Sequence, residues 1–203
     1  MSQPWLTAHD EEPIRGLPAP LPANETLLWQ GSPEPLSLAQ RAYGVRAVVI
    51  YFGFLLALRL AEAGSGEWTG NAWMAEFMPT VVLAACATGL LGFLAWLNAR
   101  ETLYTLTDKR LVLRFGVALP MTVNIPLTRV EAADLRLHRD GTGDIAFRIA
   151  RPERISWLVF WPHVRPWQWT RPQPCLRGIR NPARVAELLR MAAATAPENA
   201  EPA

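Results

Sequence analysis

FMPTVVLAACATGLLGFLAWLNA, residues 77–99, contains no charged side chain. Wound as an α-helix at 1.5 Å per residue it is roughly 34 Å long, enough to cross a hydrocarbon core of ~30 Å. Arg100 follows at once, and the sequence then changes to short β-type runs rich in arginine. The chain therefore reads as a membrane anchor joined to a compact domain, and the other segments take their meaning from that helix.

Working backward, residues 62–76 (EAGSGEWTGNAWMAE) carry three Glu and no Lys or Arg. Before them, residues 38–61 (LAQRAYGVRAVVIYFGFLLALRLA) form a second membrane candidate. Its charge-free centre, Ala47–Leu58, gives only about 18 Å of helix. Arg46 and Arg59 can snorkel in opposite directions and lengthen it to a span, while a re-entrant or interfacial helix fits the same residues. Arg41 and Arg46 precede this segment, and Arg100, Lys109, Arg110 and Arg114 follow the next one. The positive-inside rule then predicts two spans, both termini cytoplasmic and a periplasmic loop over 62–76. Trp68 and Trp73 suit the outer interface, and Trp96 and Tyr104 the inner one.

Each helix carries a row of small residues at four-residue spacing: Gly53, Ala57 and Ala61 in the first, Ala84, Thr88 and Gly92 in the second. Such rows let backbones approach in lipid. They can pair the two helices with each other, or present a face to another membrane protein. Neither span contains His, the commonest axial ligand of a haem or chlorophyll, which argues against direct pigment binding.

The N-terminal residues 1–26 hold Pro4, Pro13, Pro18, Pro20 and Pro22 with little periodicity and are expected to be a disordered arm. No basic n-region with an apolar stretch behind it is present, so no cleavable signal peptide is expected. LLWQGSPEP, within residues 27–37, reads as a short segment packed on the soluble domain, or as a Trp29 held at the headgroup level. Charge is uneven. Residues 1–40 hold Arg15 against five acids, whereas residues 100–190 hold sixteen Lys and Arg against eight acids. A basic domain at a membrane suits anionic headgroups or an acidic partner. Nineteen of the twenty basic residues are arginine, a bias that codon usage explains equally well.

From 101 to 195 the apolar period becomes two. TLYTLTDKRLVLRFG predicts a hairpin over about 102–106 and 110–115, with Thr107, Asp108 and Lys109 as the turn. Residues 121–137 give two more runs broken at Pro126. Arg139–Gly143 is a turn, DIAFRIA (144–150) alternates, and ISWLVFW (155–161) reads as a further buried run. NPARVAELLRMAAATA predicts a terminal helix with Asn181 as cap, Pro182 at its first turn, and Val185, Leu188, Leu189 and Ala192 as its apolar stripe. Six or seven short strands and a closing helix predict an α+β chain: a transmembrane hairpin, then a PH-like antiparallel β-barrel or sandwich plugged by the helix. Residues 196–203 are expected to be a disordered tail.

Candidate catalytic groups are few. Asp108, Asp134, Asp140 and Asp144 fall at turns or strand ends; His9, His138 and His163 are isolated, without metal-ligand spacing. Cys86 and Cys175 are too differently placed for a disulfide, and Cys175 has no accompanying base. The chain is expected not to be an enzyme, and no cofactor or metal is expected. The unusual stretch is FWPHVRPWQWTRPQP (160–174). Prolines lower the entropy cost of ordering an exposed segment, and Trp and Arg are favoured at interface hot spots. One reading buries its tryptophans on the barrel. The other makes Arg165, Trp167, Trp169 and Arg171 a docking surface. His163 is expected to hydrogen-bond locally.

LWQGSP before the hairpin, YTLTDKRLVLRFGVALPMTVNIPL, GTGDIAF and FWPHVRPW together resemble the PuhB family of photosynthetic-complex assembly proteins of purple bacteria, over about residues 25–192. YTLTDKR alone marks bacterial PH-like membrane proteins in general. The resemblance implies a non-enzymatic factor of the inner, intracytoplasmic membrane that helps assemble the reaction centre and core light-harvesting complex 1. Implied partners are the subunits of those complexes and membrane lipid, with a homodimer open and nucleic acid excluded. The resemblance supplies no site residues. Two other functions fit the sequence: a membrane-tethered lipid- or protein-binding PH-like module unrelated to photosynthesis, and a bacteriochlorophyll delivery factor.

Overall fold

A computed structural model describes residues 20–63, 71–117, 120–150, 157–166, 168–169 and 171–195. The expectations for residues 1–19, for Trp68, for Ile155 and Ser156, for Trp167 and for the tail 196–203 lie outside the described residues. So does the side chain of Trp73. The chain divides into two compact units, one of residues 35–99 and one of residues 1–34 with 100–203.

The helical unit begins after strand β1 (Leu27–Gly31) with α1 (Pro35–Arg41), followed by α2 (Val45–Ala63) and α3 (Ala72–Glu101). Residues Met74–Glu101 of α3 have a mean hydropathy of 2.0 in their apolar window and are long enough to span a membrane. The first expected span is not one continuous helix. α1 and α2 reach the length and hydropathy of a span only together, and they bend by 56° at their junction. The cause is local. Gly44 has φ +68°, a left-handed conformation that costs glycine little. The Ala42 and Tyr43 amides both donate to the Leu38 carbonyl, ending α1, and the Gly44 carbonyl accepts from Ala47 and Val48 to start α2. At the far end of α2, Arg59 pairs with Glu76 of α3 at 2.8 Å.

Among the described residues the second unit has seven strands. After β1 come β2 (Leu103–Thr107), β3 (Arg110–Phe115), β4 (Met121–Pro126), β5 (Val130–Leu137), β6 (Thr142–Ile149) and β7 (Cys175–Arg180). A helical turn α4 (Trp157–Phe160) precedes β7, and α5 (Pro182–Thr195) follows it. All pairings are antiparallel. The β2–β3 turn closes because Thr107 Oγ1 accepts from the Lys109 and Arg110 amides and donates to the Arg110 carbonyl. At the β5–β6 turn, Asp140 Oδ1 accepts from the amide and the hydroxyl of Thr142.

No closed barrel forms. The strands make two open sheets, β1-β2-β3-β4 and β5-β6-β7. Pro126 ends β4 without an amide to continue the ladder, and a 3-10 turn over Leu127–Arg129 carries the chain across to β5. At the other side a single amide bond, Glu34 N–H to the Gly178 carbonyl (2.8 Å), connects the segment after β1 with β7. Alternate residues of the strands meet between the sheets: Tyr104, Leu106, Leu111, Leu113, Ile145 and Phe147 are buried there. The apolar stripe of α5 (Val185, Leu189 and Ala192) completes this core, with Leu188 packed at its margin. Asn181 starts α5 from φ +49°, and its carbonyl accepts from Arg184 and Val185.

The buried run expected over 155–161 is, in its described part, the turn α4. Phe160 points into the core while Leu158 is 78% exposed. Pro162, Pro166, Pro172 and Pro174 lack the amides a ladder needs.

Candidate functional site

The tryptophan- and proline-rich segment is a loop clamped at its base. The His163 carbonyl accepts the Cys175 amide and the Gln173 carbonyl accepts the Arg165 amide, each at 2.9 Å, with a bridge between Val164 and Pro174. Beneath the clamp lies a buried polar chain. His163 Nε2 is 3.1 Å from Thr102 Oγ1, and Nδ1 is 2.7 Å from the Tyr104 hydroxyl. That hydroxyl accepts the Arg177 amide at 3.3 Å, and the Arg177 guanidinium donates to the Pro162 carbonyl. The phenol oxygen thus has its own proton to give to Nδ1, which leaves the ring N–H on Nε2 facing Thr102. Burial, and after it the charge of Arg177, bring His163 down to about 3. Burial pushes the Cys175 thiol up to about 12, so that thiol is protonated at neutral pH.

The sequence-derived docking residues divide. Arg165 donates to Asp134 on β5 (2.6 Å) and to Gln173 Oε1 (3.0 Å), so it fastens the loop to the sheet. Trp169 is 60% exposed and stacks on Trp157, with ring centroids 4.3 Å apart. Arg171 is exposed beside the loop's end. The loop thus buries its stem and presents an aromatic pair with a cation.

Sequence reading missed a groove of about 430 Å³ between β1 and α5. Leu28, Trp29, Pro33, Val185 and Leu188 line its apolar wall, and Arg180 and Arg184 stand at its rim. Arg180 pairs with Glu34. Gly31 is required here, because a Cβ would come within 2.4 Å of the Trp29 indole folded over it. The available signal was LLWQG beside turn residues; the opposing wall comes from a helix some 150 positions later.

In the helical unit, Gly53, Ala57 and Ala61 are all exposed, whereas Ala84, Thr88 and Gly92 are half-buried. A Cβ at Gly53 or at Gly92 would meet nothing within 4 Å. Thr88 gives its hydroxyl to the Ala84 carbonyl (2.7 Å), so it adds no polar group to that row. Among the described residues, no group of three His, Cys, Asp or Glu is placed to hold a metal ion.

Two sheets closed by a C-terminal helix, with an apolar helix attached, define the class: the family model described as bacterial PH domain matches residues 54–193, and the chain belongs to that family. Within it, the chain is 39% identical over 185 residues to an uncharacterized 23.7 kDa protein in the puhA 5′ region of Rhodobacter capsulatus. The match covers 91% of this chain and 86% of that protein, and it agrees with the resemblance to the PuhB family. No solved structure matches.

Proposed function

We propose that the chain is a non-enzymatic membrane assembly factor for the photosynthetic reaction centre and its core light-harvesting complex, acting by binding client subunits and releasing them. The observation that carries this reading is the likeness, along nearly the whole chain, to the protein of the puhA region. The fold supplies surfaces suited to it. Exposed small residues on α2 suit close approach of a client's membrane helix. Trp169 and Arg171 form an aromatic and cationic patch for a client's polar surface or for anionic lipid.

The connectivity supports two crossings. β1 and β2 are neighbours in one sheet, with Gly31 opposite Tyr104. The chain between them must therefore leave and re-enter on the same side of any membrane that α3 crosses. The bent α1–α2 pair is the segment available for the other crossing. The excess of arginine in the sheet domain favours the cytoplasmic side for it and for both termini.

Deletion of the gene in its photosynthetic host, read by near-infrared absorbance of membranes, tests the proposal. Loss of reaction-centre and core-antenna bands is the expected result; unchanged bands overturn it. The family match by itself favours a second reading, a tethered lipid- or protein-binding module with no tie to photosynthesis. That reading gains if the bands are unchanged and the protein co-purifies with other partners.

A further inference from the structure

Strand β5 is an open edge of its sheet. It is eight residues long, it terminates the three-stranded sheet, and it contains neither Lys nor Pro; past a bulge between Val130 and Ala132, residues 132–137 keep a regular register with β6, with Asp134 and Arg136 as their charges. Its exposed side chains are apolar where they should be covered. Leu135 lies opposite Ile145, and Leu137 opposite Gly143, which puts both on the sheet face that carries the buried Ile145 and Phe147. Yet Leu135 is 40% and Leu137 is 64% exposed.

The backbone shows which groups are free. The His138 amide donates to the Thr142 carbonyl (2.9 Å), so even-numbered residues here turn their amides and carbonyls toward β6. By alternation Ala133, Leu135 and Leu137 direct theirs outward. Charges of opposite sign flank Leu135: Asp134 before it, whose half-exposed carboxylate also accepts from Arg165 of the loop at 2.6 Å, and Arg136 after it.

We propose that β5 pairs with β5 of a second copy of this chain, antiparallel and two-fold symmetric about Leu135. In that register Leu135 faces Leu135 of the other copy, and Ala133 faces Leu137. These are the residues with free backbone groups, so each pair exchanges amide bonds. Between them Asp134, half-exposed although it already holds Arg165, faces Arg136 of the other copy, twice by symmetry. Neighbouring registers fail on charge. Centring the pair on residue 134 sets Asp against Asp, and centring it on residue 136 sets Arg against Arg. The outcome is a six-stranded sheet whose central leucines are covered.

Disulfide trapping tests the register in membranes from cells making the full chain, in a Cys86→Ser background. Under a mild oxidant, Leu135→Cys links to itself. Ala133→Cys does not, because two copies of residue 133 lie about 14 Å apart in this register, beyond the ~7 Å reach of a disulfide. Ala133→Cys mixed with Leu137→Cys links, and this pair tests the seam with Leu135 intact. The charges are tested in the Leu135→Cys background. Arg136→Glu alone, which sets Glu against Asp134 of the other copy, reduces trapping at least about threefold, whereas Arg136→Lys, which keeps the charge, traps like the parent. The proposal is overturned if neither Leu135→Cys nor the mixed pair links, if Ala133→Cys links to itself as readily, or if Arg136→Glu alone links like the parent.

Discussion

The Tyr104 hydroxyl lies 2.7 Å from His163 Nδ1, joining the second strand to the base of the tryptophan loop across 59 positions. The pair has no solvent to fall back on. Tyr104→Phe leaves both the imidazole nitrogen and the Arg177 amide without this partner, at a cost of about 1–3 kcal/mol. Thermal unfolding should show the loss.

His163 also gives the fold a pH dependence. Its folded pKa, about 3, lies below the ordinary 6.5, so between those values the unfolded chain binds the extra proton. Its contribution is complete above 6.5 and is lost as pH falls toward 3, by about 1.4 kcal/mol per unit across the middle of that range. Denaturant titrations at pH 7 and 5 should show a larger drop for the wild type than for His163→Gln. Equal drops would remove His163 as the source.

Glu25 is a buried carboxylate that takes two bonds from Arg110, at 2.8 and 3.0 Å. Arg110→Ala strands that charge and should destabilise the sheet domain by about 3 kcal/mol. Arg110→Ala with Glu25→Gln should recover part of the loss, in a denaturant-midpoint comparison of both variants.

Gly143 packs against its surroundings without a side chain. A Cβ there would sit 2.7 Å from the Arg136 carbonyl and 2.7 Å from Pro182 Cγ. Gly143→Ala should cost about 1–3 kcal/mol through displacement of the start of α5, visible as a lower unfolding temperature.

On the helical unit the prediction is the opposite. Because nothing stands near Gly53, Gly53→Leu should leave the sheet domain's unfolding unchanged. If the exposed row receives a client helix, the same variant should sharply reduce the co-purified client. Trp169→Ala with Arg171→Ala should likewise spare stability, reduce co-purification and so test the loop.

What the sequence made legible was what local physics decides. Residues 77–99 could be little other than a long apolar helix, and Thr107 to Arg110 and Asp140 to Thr142 carry their turns in their own side chains. The terminal helix was readable from the stripe Val185, Leu189, Ala192. What escaped depends on conformation or distant neighbours. Gly44 looked like one more small residue in an apolar run, and only its positive φ makes it a break. ISWLVFW has strand composition, but the prolines after it, with α4's own turn, override that. Barrel closure failed on the step from Pro126 to Arg129, a break visible in the sequence whose consequence lay in the pairing of whole sheets. Of the four residues expected to dock, Arg165 proved to be a fastener for the loop, and no periodicity could have revealed its bond to Asp134. The groove at Trp29 needed a helix from the other end of the chain.

The pairing of β1 with β2 has a consequence for synthesis. β1 leaves the ribosome before the helical unit and β2 after it, so the first sheet cannot close until every residue of that unit has been made. A truncated or stalled chain would leave Trp29 and the ion-pairing Glu25 without the strands that receive them. The finished sheet therefore records that the helices between its first two strands are complete, and quality-control proteases have an open edge to recognise when they are not.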